Sequence, residues 1–222
     1  MLSSLASSRT TSSALALQLL YKVDGRDEPT RASARVWTGS EAGGAASDAV
    51  SAIIKVLIDA NGNAGVSVAT NGRVMASVST DHGNDTIDMD VWAARGVYAN
   101  DGDDTITIRA SRTSPAADQP FGEASDVVSG GAGNDTILID SAGRVDRTDG
   151  GSGDDSIAIL SQGSVDRTEA GSGNDTVSIT ATVGSALRDG IDRTQGRDGD
   201  DTINLVSDGG ISRTYGDEAT TA

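Results

Sequence analysis

The stretch Gly130-Gly131-Ala132-Gly133-Asn134-Asp135-Thr136-Ile137-Leu138-Ile139 decides the fold. Its glycines and its Asn-Asp pair specify a turn, because glycine reaches positive φ freely and short Asn and Asp side chains bond to nearby backbone. The residues after it alternate polar and apolar, the period of a half-buried strand. The same order recurs along the chain. The tripeptide Gly-Asn/Asp-Asp stands at Gly83-Asn84-Asp85, Gly102-Asp103-Asp104, Gly133-Asn134-Asp135, Gly153-Asp154-Asp155, Gly173-Asn174-Asp175 and Gly199-Asp200-Asp201. The final aspartates lie 19, 31, 20, 20 and 26 residues apart, which is one unit of about twenty residues lengthened twice. The longer insertion falls within Ala110 to Ser129 and holds Pro115, Pro120 and Phe121, and the shorter falls around Ala181 to Gly190. An earlier copy at Gly62-Asn63-Ala64 lacks the aspartate, and Gly65 to Val74 after it tracks Thr136 to Val145 without a gap.

Each unit carries two extended segments. The first is Thr136-Ile137-Leu138-Ile139 and its counterparts beginning at Thr105, Ser156, Thr176 and Thr202. A turn with glycine follows, as in Ser141-Ala142-Gly143 and Ser161-Gln162-Gly163. Then comes Val145-Asp146-Arg147-Thr148, with counterparts at Val165, Ile191 and Ile211. Stacking the units at strand spacing, roughly 4.8 Å, lines up Ile137, Ile157, Val177 and Ile203 in one apolar ladder and Ile139, Ile159, Ile179 and Leu205 in another. The expected fold is therefore all-β: a right-handed parallel β-solenoid over residues 59–217, followed by a polar tail, 218–222. Composition agrees, since 28 glycines against six aromatic side chains suit thin layers joined by many turns.

The chain holds 33 acidic and 17 basic residues, a formal charge of −16. That balance excludes nucleic acid as a partner, because phosphate affinity needs clustered Lys and Arg. There is no cysteine, hence neither a disulfide frame nor a thiolate metal site. The apolar run Ala14 to Leu20 is too short to span a bilayer, and no cleaved secretory leader is expected.

Stacked units bring successive aspartates close together, where desolvated carboxylates repel unless a cation bridges them. Glycines let backbone carbonyls converge on the same point, and hard oxygen donors select calcium. The expected calcium-binding residues are Asp85, Asp103, Asp104, Asn134, Asp135, Asp154, Asp155, Asn174, Asp175, Asp200 and Asp201, with Gly131, Gly133, Gly151, Gly153, Gly171 and Gly173. Roughly five divalent ions would offset about ten negative charges.

This pattern resembles the hemolysin-type calcium-binding repeat of RTX proteins, whose nonapeptide Gly-Gly-x-Gly-x-Asp-x-(apolar)-x builds a parallel β-roll with calcium in the turns. Gly130 to Leu138 and Gly150 to Ala158 match throughout, and Ala170 to Ser178 departs only at its first position. Gly196 to Asn204 carries Arg197 and Asp198 in place of expected residues, and the copies at Gly83 and Gly102 keep only the core of the motif. The resemblance implies several calcium ions. Because the second turn lacks Gly-x-Asp, they are expected along one edge only.

Arg147, Arg167, Arg193 and Arg213 recur at one position, with Asp146, Asp166 and Asp192 available to interleave; the expectation is a solvated face of mixed charge, or a strip for a glycan or other surface ligand. Thr105, Thr107, Thr176, Ser178 and Thr180 point to an ice-binding hydroxyl array, but Leu138, Ala158 and Asn204 break it. His82, the sole histidine, reads as a turn residue, and no Gly-x-Ser-x-Gly or His-Glu-x-x-His signature is present.

Residues 1–58 lack the repeat and are expected to cap the stack. Ala46, Ala49, Val50, Ile53, Ile54 and Leu57 follow helical spacing after a cap at Ser47, although the β-branched run through Ile58 also permits a strand. Leu15, Leu17, Leu19 and Leu20 suggest a further short helix or an interaction tail. The expected function is a non-enzymatic, calcium-stabilised protein, secreted or on a cell surface, with a structural, adhesive or self-assembling role; the uncapped last unit is expected either to continue into a longer array or to stack end to end on another subunit in a filament. The other readings are a carbohydrate-acting enzyme or its targeting module, and an ice-binding solenoid.

Overall fold

A computed structural model describes residues 2–9, 14–21, 30–38, 51–71, 74–111, 123–183 and 189–217. Every regular element among them is a strand, and no helix there is long and apolar enough to cross a membrane. In chain order the strands are β1 (Leu2–Arg9), β2 (Ala14–Tyr21), β3 (Thr30–Thr38), β4 (Ser51–Ile58), β5 (Ala64–Asn71), β6 (Val74–Ser79), β7 (Thr86–Val91), β8 (Ala93–Asp101) and β9 (Thr105–Ala110). They continue as β10 (Glu123–Ala132), β11 (Thr136–Ser141), β12 (Arg144–Ser152), β13 (Ser156–Ser161), β14 (Val165–Ser172), β15 (Thr176–Ala181), β16 (Asp189–Asp198), β17 (Thr202–Ser207) and β18 (Gly210–Asp217).

The strands form two nine-stranded sheets, ordered β1-β4-β5-β7-β9-β11-β13-β15-β17 and β18-β16-β14-β12-β10-β8-β6-β3-β2. From β5 onward the chain alternates between them, and each strand lies parallel to the equivalent strand of the next repeat. Period-two patterning sets the register: Val66, Ile87, Ile106, Ile137, Ile157, Val177 and Ile203 stand level, as do Val68, Met89, Ile108, Ile139, Ile159, Ile179 and Leu205. A one-residue slip would turn both ladders to solvent. The second sheet adds Val145, Val165 and Ile191, and the buried side chains of both sheets make one hydrophobic cluster. Among the described residues no aromatic side chain belongs to it, so the interior is thin and aliphatic.

The copy at Gly62 joins this register, with Gly65 level with Thr86. Its second segment does not track as expected. Ala76, not Val74, comes level with Ala94, Ser125 and Val145, because β5 is two residues longer than β11, so that 11 positions separate Gly65 from Ala76 where nine separate Thr136 from Val145. Both insertions fall in the connection from the first to the second strand of a repeat, between β9 and β10 and between β15 and β16. A register shift lies beside each, at Glu123/Ser125 and at Asp189/Ile191. The glycine-aspartate turns on the opposite edge are uninterrupted.

The N-terminal segment differs from the helical expectation. Residues 51–58 form β4, with Ile54, Val56 and Ile58 buried and Ile53 51% exposed. The β-branched alternation decides for a strand, because pairing with β5 satisfies an edge that a helix would leave open. Leu15, Leu17, Leu19 and Leu20 likewise fall in β2, not a helix. Residues 46–50 and the tail, 218–222, lie outside the described residues.

Candidate functional site: the glycine-aspartate edge

The turns between the second strand of one repeat and the first strand of the next stack into a continuous edge. One column of it is glycine in every repeat. Gly133, Gly153 and Gly173 have φ of 123°, 119° and 132°. A Cβ added at Gly153 would stand 2.2 Å from the Gly133 carbonyl oxygen, and one at Gly173 would stand 2.2 Å from that of Gly153. Gly131, Gly151 and Gly171 form a second such column. The sequence departs from glycine in that column at Asn100 and Arg197, and both hold the same backbone region, at φ 75° and 87°.

Two hydrogen-bonded ladders run along the edge in opposite senses. In the outer one, an Asn or Asp side chain accepts the backbone N–H of its counterpart one repeat later. Asn134 donates to Asp103 Oδ1 at 2.7 Å, Asp154 to Asn134 Oδ1 at 2.7 Å, Asn174 to Asp154 Oδ1 at 2.7 Å and Asp200 to Asn174 Oδ1 at 3.0 Å. The ladder begins with Asn63 and Asn84, which the sequence reading did not single out as site residues. One oxygen suffices for this task, which explains why Asn and Asp interchange there.

The inner ladder accepts only Asp. Asp104 donates its backbone N–H to Asp135 Oδ1 at 2.9 Å, Asp135 to Asp155 Oδ1 at 2.8 Å, Asp155 to Asp175 Oδ1 at 2.8 Å and Asp175 to Asp201 Oδ1 at 2.9 Å. At the start, Ala64 donates to Asp85 Oδ1 and Asp85 to Asp104 Oδ1. One carboxylate oxygen is thus used in every repeat. The second, Oδ2 of Asp85, Asp104, Asp135, Asp155 and Asp175, is buried with no hydrogen-bonding partner in the protein. An orphaned buried carboxylate oxygen is costly unless a proton or a cation meets it.

Electrostatics reflect that cost. Burial pushes the carboxyls of Asp85 and Asp135 up to about 6 and those of Asp104 and Asp155 to about 7, and it raises Asp175 as well. Neighbouring aspartates add to the rise: Asp85 and Asp135 act on Asp104, and Asp135 and Asp175 act on Asp155. Glycine walls the space beside Oδ2 of Asp135, Asp155 and Asp201, whereas Thr80, Ala99 and Ala170 hold the same position before Asp85, Asp104 and Asp175. A Cβ at Gly130 would meet Asp135 Oδ2 at 2.2 Å and the Gly150 carbonyl oxygen at 2.6 Å; one at Gly150 would meet the Ala170 carbonyl at 2.3 Å and Asp155 Oδ2 at 2.5 Å. The donors there are all oxygen, carboxylate and carbonyl, as calcium prefers. Among the described residues no three carboxylate or imidazole groups converge on one point, so an ion at this edge must draw on backbone carbonyls.

The opposite turn needs no charge. Ser161 Oγ accepts the Gly163 N–H at 3.0 Å, and its one proton lies within reach of the carbonyls of Gly143 and Gly163, at 2.8 and 2.9 Å, so a hydroxyl closes it. The arginine strip is interleaved with acids, in part others than those expected: Arg167 lies 4.0 Å from Glu169, and Asp146 pairs with Arg144. Arg144 meets Asp146 at 2.9 Å and Asp166 at 2.5 Å, Arg147 meets Asp149 at 2.8 Å, Arg193 lies 3.7 Å from Asp192 and 3.8 Å from Asp166, and Arg213 pairs with Asp192. On the first sheet, Thr86, Thr105, Thr136, Ser156, Thr176 and Thr202 form an unbroken exposed hydroxyl row, but the next outward row is Asp88, Thr107, Leu138, Ala158, Ser178 and Asn204. His82 forms an isolated parallel bridge with Asp101 just before the Gly83 bend, its ring 3.4 Å from Asp81 and 3.3 Å from Asp101. No protein-family model, no curated protein and no solved structure matches the chain.

Proposed function

We propose that this chain is a calcium-stabilised, right-handed β-solenoid of the RTX β-roll kind, acting as a secreted or cell-surface structural or adhesive element and not as an enzyme. The observation that carries this reading is the row of buried Asp Oδ2 atoms on Asp85, Asp104, Asp135, Asp155 and Asp175, with those of Asp135 and Asp155 beside a glycine-walled space that the Gly150 and Ala170 carbonyl oxygens share. A divalent ion between successive repeats would give those oxygens a partner and cancel the repulsion that raises their proton affinity. Asp104, Asp135, Asp155 and Asp175 would supply the charge, and the backbone of Gly131, Gly133, Gly151, Gly153, Gly171 and Gly173 would supply carbonyls. Asp103, Asn134, Asp154, Asn174 and Asp200 keep the repeats in step through the outer ladder.

The neutral serine-capped turn supports calcium on one edge only. A structural role fits the uniformity of the repeats, since among the described residues no repeat carries a distinct acid-base cluster around which catalysis could be built. Equilibrium dialysis with calcium, together with circular dichroism in calcium and in chelator, tests the reading. Several bound ions and a β-signal that weakens in chelator are expected; well-folded protein that binds no calcium overturns it.

A further inference from the structure

The two ends of the stack match in strand direction. β1 runs antiparallel to β4, and β4 runs antiparallel to β5, so two reversals return β1 to the direction of β5 and of every later strand of its sheet. β2 is antiparallel to β3 and β3 to β6, with the same result in the second sheet. The outermost strands therefore imitate a repeat. The chain passes from β1 in the first sheet to β2 in the second, and Leu2 to Tyr21 spans 20 residues, the repeat length measured between Asp135 and Asp155.

At the other end, β17 and β18 are the edge strands of the same two sheets, and no described residue pairs with their outer sides. Ile203 and Leu205 reach only partial burial, although Val177 and Ile179 beside them are wholly buried. Val206 is 55% exposed, Ile211 46% and Tyr215 55%, so three of the seven exposed large apolar residues described in the chain gather on this last repeat. Charge differs between the ends as well: residues 2–21 hold one basic and no acidic side chain, and residues 199–217 hold one basic and four acidic.

We propose that a second copy of this chain docks β1 and β2 against β17 and β18 of the first, head to tail and parallel in both sheets. Strand addition of this kind satisfies the open backbone groups and covers Ile203, Leu205 and Ile211. A tail-to-tail pair would instead be antiparallel and would bring two acidic ends together. The head-to-tail contact is heterologous and leaves an unused edge at each end of the pair, so it propagates into a filament. This takes the structural role proposed above further, but it rests on strand directions and not on the metal.

Engineered cysteines test it in a chain that has none. Val206→Cys is placed on β17, and Ser3→Cys or Ser7→Cys on β1, each variant checked for an unchanged β-signal. Under mild oxidation an equimolar mixture is expected to give β17–β1 cross-linked dimers, Val206→Cys alone none, and the double variant a ladder of multimers. Disulfide dimers of Val206→Cys alone, or a wholly monomeric protein in sedimentation velocity at its highest soluble concentration, overturn the proposal. The exposed pair Val206→Lys and Tyr215→Lys is expected to weaken self-association about tenfold or more with folding intact, and undiminished assembly of that variant also overturns it. Repeating the measurement in calcium and in chelator keeps the two readings apart: assembly without calcium binding sinks the metal alone, and calcium binding by a permanent monomer sinks the stacking alone.

Discussion

Replacing Asp155 by Asn should stabilise the protein in chelator and destabilise it in calcium, relative to the parent. Asn keeps the oxygen that accepts the Asp135 N–H and removes the buried charge at Oδ2. Burial lifts the Asp155 carboxyl from 3.8 to about 7, which corresponds to ~4 kcal/mol of cost to the ionised form at about pH 8 in the limit of full burial. Water at the turn edge screens part of this, leaving an expected gain of about 1–2 kcal/mol for Asp155→Asn without calcium. In a domain of this size that is a rise in Tm of about 2–8 °C. Calcium at a hundredfold excess over its dissociation constant would stabilise the parent by about 2.7 kcal/mol for each ion, and the variant forfeits that at the altered repeat. The order of the two proteins should therefore invert between chelator and calcium in parallel thermal melts followed by circular dichroism. A variant less stable than the parent in both solutions would show that the carboxylate is held by the fold itself, and would refute the reasoning.

The same carboxyls set a pH dependence. Values raised to about 6 at Asp85 and Asp135 and about 7 at Asp104 and Asp155 mean that the folded protein keeps protons which the unfolded chain releases near 4. Their stabilising contribution is complete below about pH 4 and lost as pH rises through 6 to 7, so calcium-free Tm should fall across that window and calcium should abolish the fall; a calcium-free Tm that rises from pH 4 to 7 contradicts this. Gly153→Ala, at φ 119° and with its Cβ 2.2 Å from the Gly133 carbonyl oxygen, should cost about 3 kcal/mol or more in denaturant unfolding. Gly65→Ala, with open space around it, should stay within about 1 kcal/mol of the parent in the same assay. Thr168, wholly buried with an unpartnered Oγ1, stands in the column that Val128 occupies two repeats earlier, so Thr168→Val should leave stability unchanged or raise it by about 1 kcal/mol.

Much of this was legible in the chain itself, for particular reasons. Strand residues such as Ile137 and Ile139 were readable because burial on one face imposes a period of two. Gly133, Gly153 and Gly173 were readable because only glycine tolerates both the positive φ and the neighbouring carbonyl. Sequence alone did not separate the outer from the inner acids: Asp154 and Asp155 are adjacent and chemically identical, yet one faces solvent and the other is buried. A signal was present in the interchange of Asn and Asp at the outer position and its absence at the inner one. The N-terminal segment was misread because Ile53, Ile54 and Leu57 satisfy helical spacing as well as a strand run.

Sequence by itself determined the repeat, its length of about twenty residues, the two apolar ladders and the glycine-aspartate edge, because each is a local pattern enforced anew in every unit. Tertiary structure decided which oxygen of each Asp is used and which is left bare, since the donor comes from a neighbouring repeat. It also decided the direction of β1 and β2. Strand polarity at an edge depends on how many reversals separate it from the repeats, and residues paired across 36 to 56 positions of chain, as in β3 with β6 and β1 with β4, carry no local mark of that count.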